Sequence, residues 1–228
     1  MISDPSVPLC LCGLFLLRMS SARAARADLL LAEGCAWLAK ADRDFGRVLE
    51  EHGLPPHRFR PSGFATLLRA IVAQQVSTAS ALAIWGRLTD KLPRPTAEGF
   101  LALSDADLRT IGFSRQKVAY GRGLAEAVTT RRLDLAALRR MDDEAALAAL
   151  VAMKGIGRWT AEIYLMFALD RPDVFPADDL ALMVAAQKLK QLPARPTGKM
   201  LRELAAPWQP WRTVAAQLLW HYYRHAPA

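Results

Sequence analysis

The chain has 228 residues, long enough to bury a sizeable core as one domain or as two lobes that share one. Thirty Lys and Arg against twenty-two Asp and Glu give a formal charge of +8 and a pI near 9.8; this suits a nucleic-acid partner, and equally a basic soluble protein of no special purpose. Cys10, Cys12 and Cys35 exclude a disulfide framework, and no paired spacing among them makes a zinc site. A reduced cytoplasmic setting is expected on that count. The apolar run from Val7 to Leu17 is too short and too interrupted to span a bilayer, and it lacks the leading positive charge of a secretory signal. Residues 1–18 therefore read as a disordered extension or a misassigned start, with Met19 followed by Ser20 and Ser21 as an ordinary beginning.

Taken in order, the rest reads as helices punctuated by Gly and Pro. Leu, Ala and Val recur at helical spacing over residues 26–39 and 42–52, and Gly53-Leu54-Pro55-Pro56 stops them. Pro61 and Ser62 start the next helix, whose apolar stripe is Phe64, Leu67, Leu68, Ile71 and Val72. It ends near Gln74-Gln75-Val76, and Ser77 reads as the N-cap of a helix running to Leu88. After Pro93 and Pro95, Thr96 with Glu98 and Ser104 with Asp107 mark two short helices, the second with a weakened capping box. Gly112 closes it, and Ser114 opens a basic helix through about Thr130. Between Arg109 and Arg140 lie eight basic residues, opposed only by Glu126 and Asp134. Asp142-Asp143-Glu144 places negative charge on the first turn of a further helix, where the dipole favours it. Helices over 197–206 and 210–225 complete an all-α chain with no long strand pattern and no repeat.

The stretch from Leu150 to Leu180 carries the most chemistry. A helix with Leu147, Leu150 and Val151 on its apolar face runs into Lys154-Gly155-Ile156-Gly157, and a second helix follows with Trp159, Ile163, Met166 and Phe167 on one face. The two glycines allow a tight hairpin and leave the amides of Gly155 and Gly157 bare at a helix start, where an anion is favoured. Roughly twenty residues on stands the carboxylate pair Asp178-Asp179, just before another apolar-periodic helix.

A phosphate-gripping hairpin followed at this distance by an acid resembles the helix-hairpin-helix (HhH-GPD) DNA glycosylases. The likeness runs from about Pro61 to His221 and is nearest to the alkylpurine branch, the 3-methyladenine DNA glycosylase II type. It is carried by Ile71-Val72-Ala73-Gln74-Gln75-Val76-Ser77, by Gly112-Phe113-Ser114-Arg115-Gln116-Lys117, by the hairpin and the acid, and by Trp208-Gln209-Pro210-Trp211-Arg212. The resemblance implies a two-lobed helical fold with a cleft between the lobes, spanning 19–228, and a helix-hairpin-helix at about 144–169. It implies excision of alkylated bases from damaged double-stranded DNA by a monomer, with no membrane, in a bacterial cytoplasm near the nucleoid.

The same resemblance assigns roles. Asp179 matches the catalytic aspartate, stabilising the positive charge that builds on the sugar as the N-glycosidic bond breaks and orienting the attacking water. Asp178 is then expected to cap the following helix. Trp159 and Trp220 match the aromatic residues of the base pocket, whose faces attract a cationic alkylpurine by roughly 0.5–2 kcal/mol. Gln75 takes the place of the residue wedged into the duplex, and Ser77, Lys154, Gly155, Ile156, Gly157 and Thr160 belong to the DNA-binding surface. The carbonyls of Val151, Met153 and Ile156 match those that hold a sodium or potassium ion. No other cofactor is implied, and the absence of Cys beyond Cys35 leaves no iron–sulfur loop of the endonuclease III kind.

Three departures qualify the likeness. Bifunctional relatives carry a Schiff-base lysine two residues past the second hairpin glycine, where this chain has Trp159, so a monofunctional, water-using enzyme is expected. Only helical sequence precedes Gln74, so the antiparallel sheet domain of larger relatives is expected to be absent. Ile163, Leu180 and Ala181 replace two tyrosines and a leucine of the similar enzyme, which implies a roomier pocket. The alternatives are a glycosylase for another lesion, such as deaminated purine or uracil, and a non-catalytic helix-hairpin-helix DNA-binding module.

Overall fold

The structure, a computed structural model, describes residues 21–225, so the extension expected over residues 1–18 lies outside the described residues. Among those described, the secondary structure is twelve α-helices and two short 3-10 turns, with no β-strand. They divide into two compact units, residues 60–164 and residues 21–59 with 165–225. The chain opens in the second unit with α1 (Ser21–Ala41) and α2 (Arg43–His52). It then builds the first unit from α3 (Phe64–Ala73), α4 (Thr78–Lys91), α5 (Ala97–Ala102), α6 (Asp105–Ile111), α7 (Arg115–Thr129) and α8 (Asp143–Val151). Helix α9 (Arg158–Ala168) carries the chain back at Leu165, and α10 (Leu180–Leu189), α11 (Gly198–Leu204) and α12 (Arg212–His225) follow.

In the first unit α7 is the axis, packed by α3, α5 and α6. Val118, Leu124, Ala125 and Ala127 give it a buried face, and Gly121 lets Phe100 close in: a Cβ there would lie 2.8 Å from its ring. Phe100 in turn meets Phe64 and Phe113 at centroid distances of 6.0 and 5.6 Å. Fully burying side chains of this size contributes about 1.5–3 kcal/mol each. The helix starts follow the sequence closely. Ser77, Thr96, Ser114 and Asp142 each accept a backbone N–H from the first turn, and Ser104 with Asp107 forms a complete capping box rather than a weakened one. One start differs: α3 begins at Phe64 behind Gly63, whose amide donates to the Tyr164 hydroxyl at 2.9 Å, and Pro61 and Ser62 precede it.

The second unit is centred on α12, which packs on α1, α2 and α10. Every residue from Thr213 to His221 is buried, so this is a core helix, apolar pressure acting on it from all sides. Beside it, Lys190 Nζ donates to both oxygens of Asp42 (2.5 and 2.6 Å) and to Asp44 (2.8 Å). Trp208 Nε1 adds a bond of 2.9 Å to the same Asp42. Cys35 of α1 is buried, and burial pushes its thiol up to about 12, which leaves no thiolate for nucleophilic work.

Candidate active site

The hairpin between α8 and α9 lies wholly in the first unit. Its geometry starts at Gly155, which sits at φ +89°, where L side chains are strained, and whose missing Cβ would lie 2.4 Å from the Tyr120 ring. Tyr120 is fixed from behind by Gln116, whose Nε2 donates to the phenol oxygen at 2.7 Å. From the other side Gln74 Nε2 donates to the Gly155 carbonyl at 2.7 Å, so the α3–α4 loop and the hairpin are one hydrogen-bonded piece. Ile156 plugs its side chain into the core, 3% exposed, and its amide donates to the Met153 carbonyl at 3.0 Å. Gly157 is different: a Cβ there meets nothing within 4 Å, and its neighbours Lys154 and Trp159 are exposed.

The loop that carries the expected wedge is held equally firmly. Gln75 is exposed at φ +55°, an uncommon conformation for a residue with a Cβ. The buried Lys117 donates its ammonium to the Val72 carbonyl at 2.7 Å, closing the C-terminal end of α3 where the dipole favours a cation. Burial holds its pKa below the usual lysine range. Ser77, just after, caps α4 through Ser80 at 3.2 Å.

The acid pair belongs to the second unit, and its roles are the reverse of part of the expectation. Asp179, not Asp178, is the N-cap of α10: its Oδ1 accepts from the Leu182 amide at 3.0 Å. The same oxygen accepts from Trp220 Nε1 at 3.1 Å. Asp178 points away to an exposed ion pair with Arg202. An N-cap is set by the residue whose own backbone is still extended while the next is helical, and that is Asp179, at φ −75° and ψ 121°. Trp220 is 5% exposed, with the Phe167 ring at 6.1 Å and the Arg58 guanidinium 4.9 Å above it.

The expected site residues thus fall into two groups. In the first unit are Trp159 and Ile163, the wedge Gln75, Ser77, and the hairpin residues Lys154, Gly155, Ile156, Gly157 and Thr160; Ile163 is buried and Trp159 is 39% exposed. In the second are Asp179, Trp220, Leu180 (48% exposed) and the half-buried Ala181. Val151, expected on the apolar face of α8, is exposed. The carbonyls of Val151, Met153 and Ile156 lie in the turn, where hard carbonyl oxygens suit a monovalent cation; that of Met153 already accepts one N–H and keeps its second lone pair. A cavity of about 50 Å³ in the second unit, walled by Leu31, Arg58, Phe167, Trp211 and Gln217, has room for a few waters and not for a purine. Sequence reasoning gave no part to Arg58, Tyr120 or Gln74's amide. Gln74 and Lys117 stand in the quoted motifs, but no local pattern says what they touch.

Residues 68–210 match the HhH-GPD superfamily of base excision DNA repair proteins. The chain belongs to that family, and its fold is the HhH-GPD glycosylase fold. DNA-3-methyladenine glycosylase 1 of Schizosaccharomyces pombe is 34% identical over 161 residues, covering 69% of this chain and 71% of that protein. Among solved structures, a DNA-3-methyladenine glycosidase from Bacillus halodurans is similar with a TM-score of 0.75 at 34% identity, over 82% of this chain and 86% of that one. The S. pombe 3-methyladenine DNA glycosylase in complex with abasic DNA gives 0.69 at 30% identity, over 82% and 95%.

Proposed function

We propose that the protein is a monofunctional DNA glycosylase that flips alkylated bases (3-methyladenine, 7-methylguanine and etheno adducts) from double-stranded DNA and hydrolyses the N-glycosidic bond with water. The observation that carries this reading is the seat of Asp179. A helix-start amide and an indole N–H converge on one carboxylate oxygen, which fixes the direction of the group. A fixed carboxylate is what an oxocarbenium-like sugar needs, and a module that only bound DNA would gain nothing from an acid near the phosphates. The relatives named above, called 3-methyladenine glycosylases, support the alkylated-base class.

In this reading the amides of Gly155 and Gly157 and the start of α9 hold a phosphate, with Lys154 and Thr160 beside them. Sodium or potassium on the carbonyls of Val151, Met153 and Ile156 would supply positive charge that strengthens that grip. Gln75, held at positive φ between its anchored neighbours, fills the space left by the extruded base. Extrusion costs a few kcal/mol and least at a damaged pair, which itself favours the lesion. Water is the nucleophile because Trp159 stands where a Schiff-base lysine would be.

The test is incubation with randomly methylated duplex DNA and identification of the released bases by mass spectrometry. Release of methylpurines, with an abasic strand that stays intact until treated with alkali, is the expected result. No base released from any damaged duplex would overturn the reading. Covalent trapping by borohydride that disappears in Lys154→Ala would overturn its monofunctional part.

A further inference from the structure

We infer that Gln74 is a positioning residue that ties the wedge loop to the phosphate-gripping hairpin, so that seating a phosphate and inserting Gln75 become one event; the inference rests on the roles of the hairpin and of Gln75 given above. The tie is a single hydrogen bond across 81 positions, from Gln74 Nε2 to the Gly155 carbonyl at 2.7 Å. Gln74 is the last residue before the wedge. Its backbone leaves α3 extended, at φ −67° and ψ 135°, and Gln75 then turns to φ +55°. A residue with a Cβ stays in that left-handed region only where its surroundings over-determine it. Lys117 on the Val72 carbonyl holds the end of α3, and the Ser77 cap holds the start of α4. Of these three anchors, that of Gln74 is the one that runs to the hairpin.

The far end of the tie does not give. Gly155 is braced by the Tyr120 ring, and Gln116 holds Tyr120 in turn. Lys117 and Tyr120 stand one turn apart on α7, so a single helix face supports both loops. The peptide unit whose carbonyl Gln74 grips also donates its N–H, on Ile156, to the Met153 carbonyl at 3.0 Å. Polarising one end of that peptide strengthens the bond that closes the turn. The consequence lies in how extrusion is driven. Opening a base pair costs free energy that must come from contacts elsewhere on the DNA. Contacts to backbone phosphates are the same before and after the base leaves, so they drive extrusion only if the wedge is rigidly placed with respect to them. With the tie, a phosphate at Gly155 and Gly157 fixes where Gln75 enters the stack. Without it, Gln75 relaxes toward ordinary backbone, and the phosphate is held without the base being forced out. A hydrogen bond of this kind shifts such an equilibrium roughly two- to tenfold.

The experiment uses the full chain and one duplex sequence with 7-methylguanine opposite either cytosine or a base-free sugar. In the second duplex no pairing resists extrusion and no orphaned base remains for Gln75. Single-turnover release is measured for both on the same preparation, so any unfolded fraction cancels from their ratio. Gln74→Met and Gln74→Glu, of equal length and without a donor, should lower the paired-to-unpaired ratio about fivefold. In a Gln75→Ala background Gln74→Met should change that ratio by less than about twofold, because a tie that acts through the wedge then has nothing to position. An unchanged ratio in both Gln74 variants, or the same loss with and without Gln75, overturns the inference while leaving the glycosylase reading intact. No release of 7-methylguanine from either duplex by the wild-type protein overturns that reading and this inference with it.

Discussion

The hairpin of the first unit and the acid corner of the second each hold a charge pattern in place, by opposite means. At the hairpin the working groups are backbone amides, and the side chains around them act as stops: Tyr120 beneath Gly155, Ile156 in the core, Gln74 on the Gly155 carbonyl. At the acid corner the working groups are side chains that meet from distant places, Asp179 with Trp220 across 41 positions and Trp220 with Arg58 from before α3. A backbone site is sensitive to added atoms and indifferent to most side-chain identities. A side-chain site tolerates backbone drift of a few tenths of an ångström but not the loss of a named group. Substitutions at the two places should fail in different ways, and that difference can be measured.

The largest effect is expected at Asp179. Asp179→Asn should lower base release on the order of 10²-fold or more while DNA affinity holds or rises, since a negative charge near phosphates is removed. Asparagine is as good an N-cap as aspartate, so this variant separates the charge from the cap. Asp179→Ala should lose the activity and, in addition, about 0.5–2 kcal/mol of stability, read as a lower melting temperature. Asp178→Asn removes an exposed ion pair with Arg202, worth less than about 1 kcal/mol, and should leave release nearly unchanged. A dead Asp178→Asn beside an active Asp179→Asn would reverse the assignment.

The two hairpin glycines sharpen the contrast. Gly155→Ala should destabilise the fold by more than about 1 kcal/mol, because of its positive φ and the Tyr120 ring in the way of the new methyl. Pairing it with Tyr120→Ala should recover part of that loss in a thermal melt. Gly157→Ala puts a methyl into open space and should leave the melt within about 0.5 kcal/mol of wild type. Its expected cost is in binding, a severalfold weaker grip on undamaged duplex with a shallower dependence on salt, as phosphate contacts and their released counterions are lost. Equal affinity and an equal salt slope in Gly157→Ala would take the hairpin out of the DNA interface.

How much of this was legible in the sequence follows from the same contrast. Helix starts were readable because a cap and its partner lie three residues apart, as in Ser77, Ser104 and Ser114, whereas Asp142, read as first-turn charge, is itself the N-cap of α8. The hairpin was readable because two glycines two residues apart have few other uses. The roles of Asp178 and Asp179 were not separable, since either could end the extended segment, and a shift of one residue exchanges the cap with the surface ion pair. Burial of the whole run from Thr213 to His221, Trp220 among it, was not legible, because nothing local marks which faces of α12 its neighbours cover. Arg58 could not be found at all. A cation over an indole 162 positions away leaves no trace in local spacing, and the residues around it, His57 and Phe59, make no pattern.

The smallest effect lies at the meeting of α2 and α12, where no catalytic part is proposed and the comparison needs a control. His221 is 7% exposed, its Nε2 lies 2.9 Å from the His52 carbonyl, and its Nδ1 is buried with no hydrogen-bond partner among the described residues. Burial holds its pKa below the usual histidine value; the His52 carbonyl works the other way, and the charges of His225, His52 and Arg224 add to the lowering. With the carbonyl as acceptor, Nε2 carries the proton of the neutral ring and Nδ1 would have to take the second one in a dry place. The unfolded chain accepts that proton from about pH 6.5 downward and the folded chain resists it. Stability is therefore whole above pH 6.5 and falls as pH drops below it toward the lower folded value. The carboxylates lose theirs in a separate window below about pH 4, Asp107 with a pKa of about 2 among them. Melting temperatures should be level between pH 8 and 7, decline between 6.5 and 5, and lose that decline in His221→Gln, whose amide can still donate to the His52 carbonyl. An undiminished decline in the variant would show that His221 is not the group responsible. Because neither Asp179 nor the hairpin touches this cluster, base release per folded molecule should be the same in His221→Gln as in wild type at pH 7.5, and any loss there would mean that α12 transmits its strain to Trp220, one residue away.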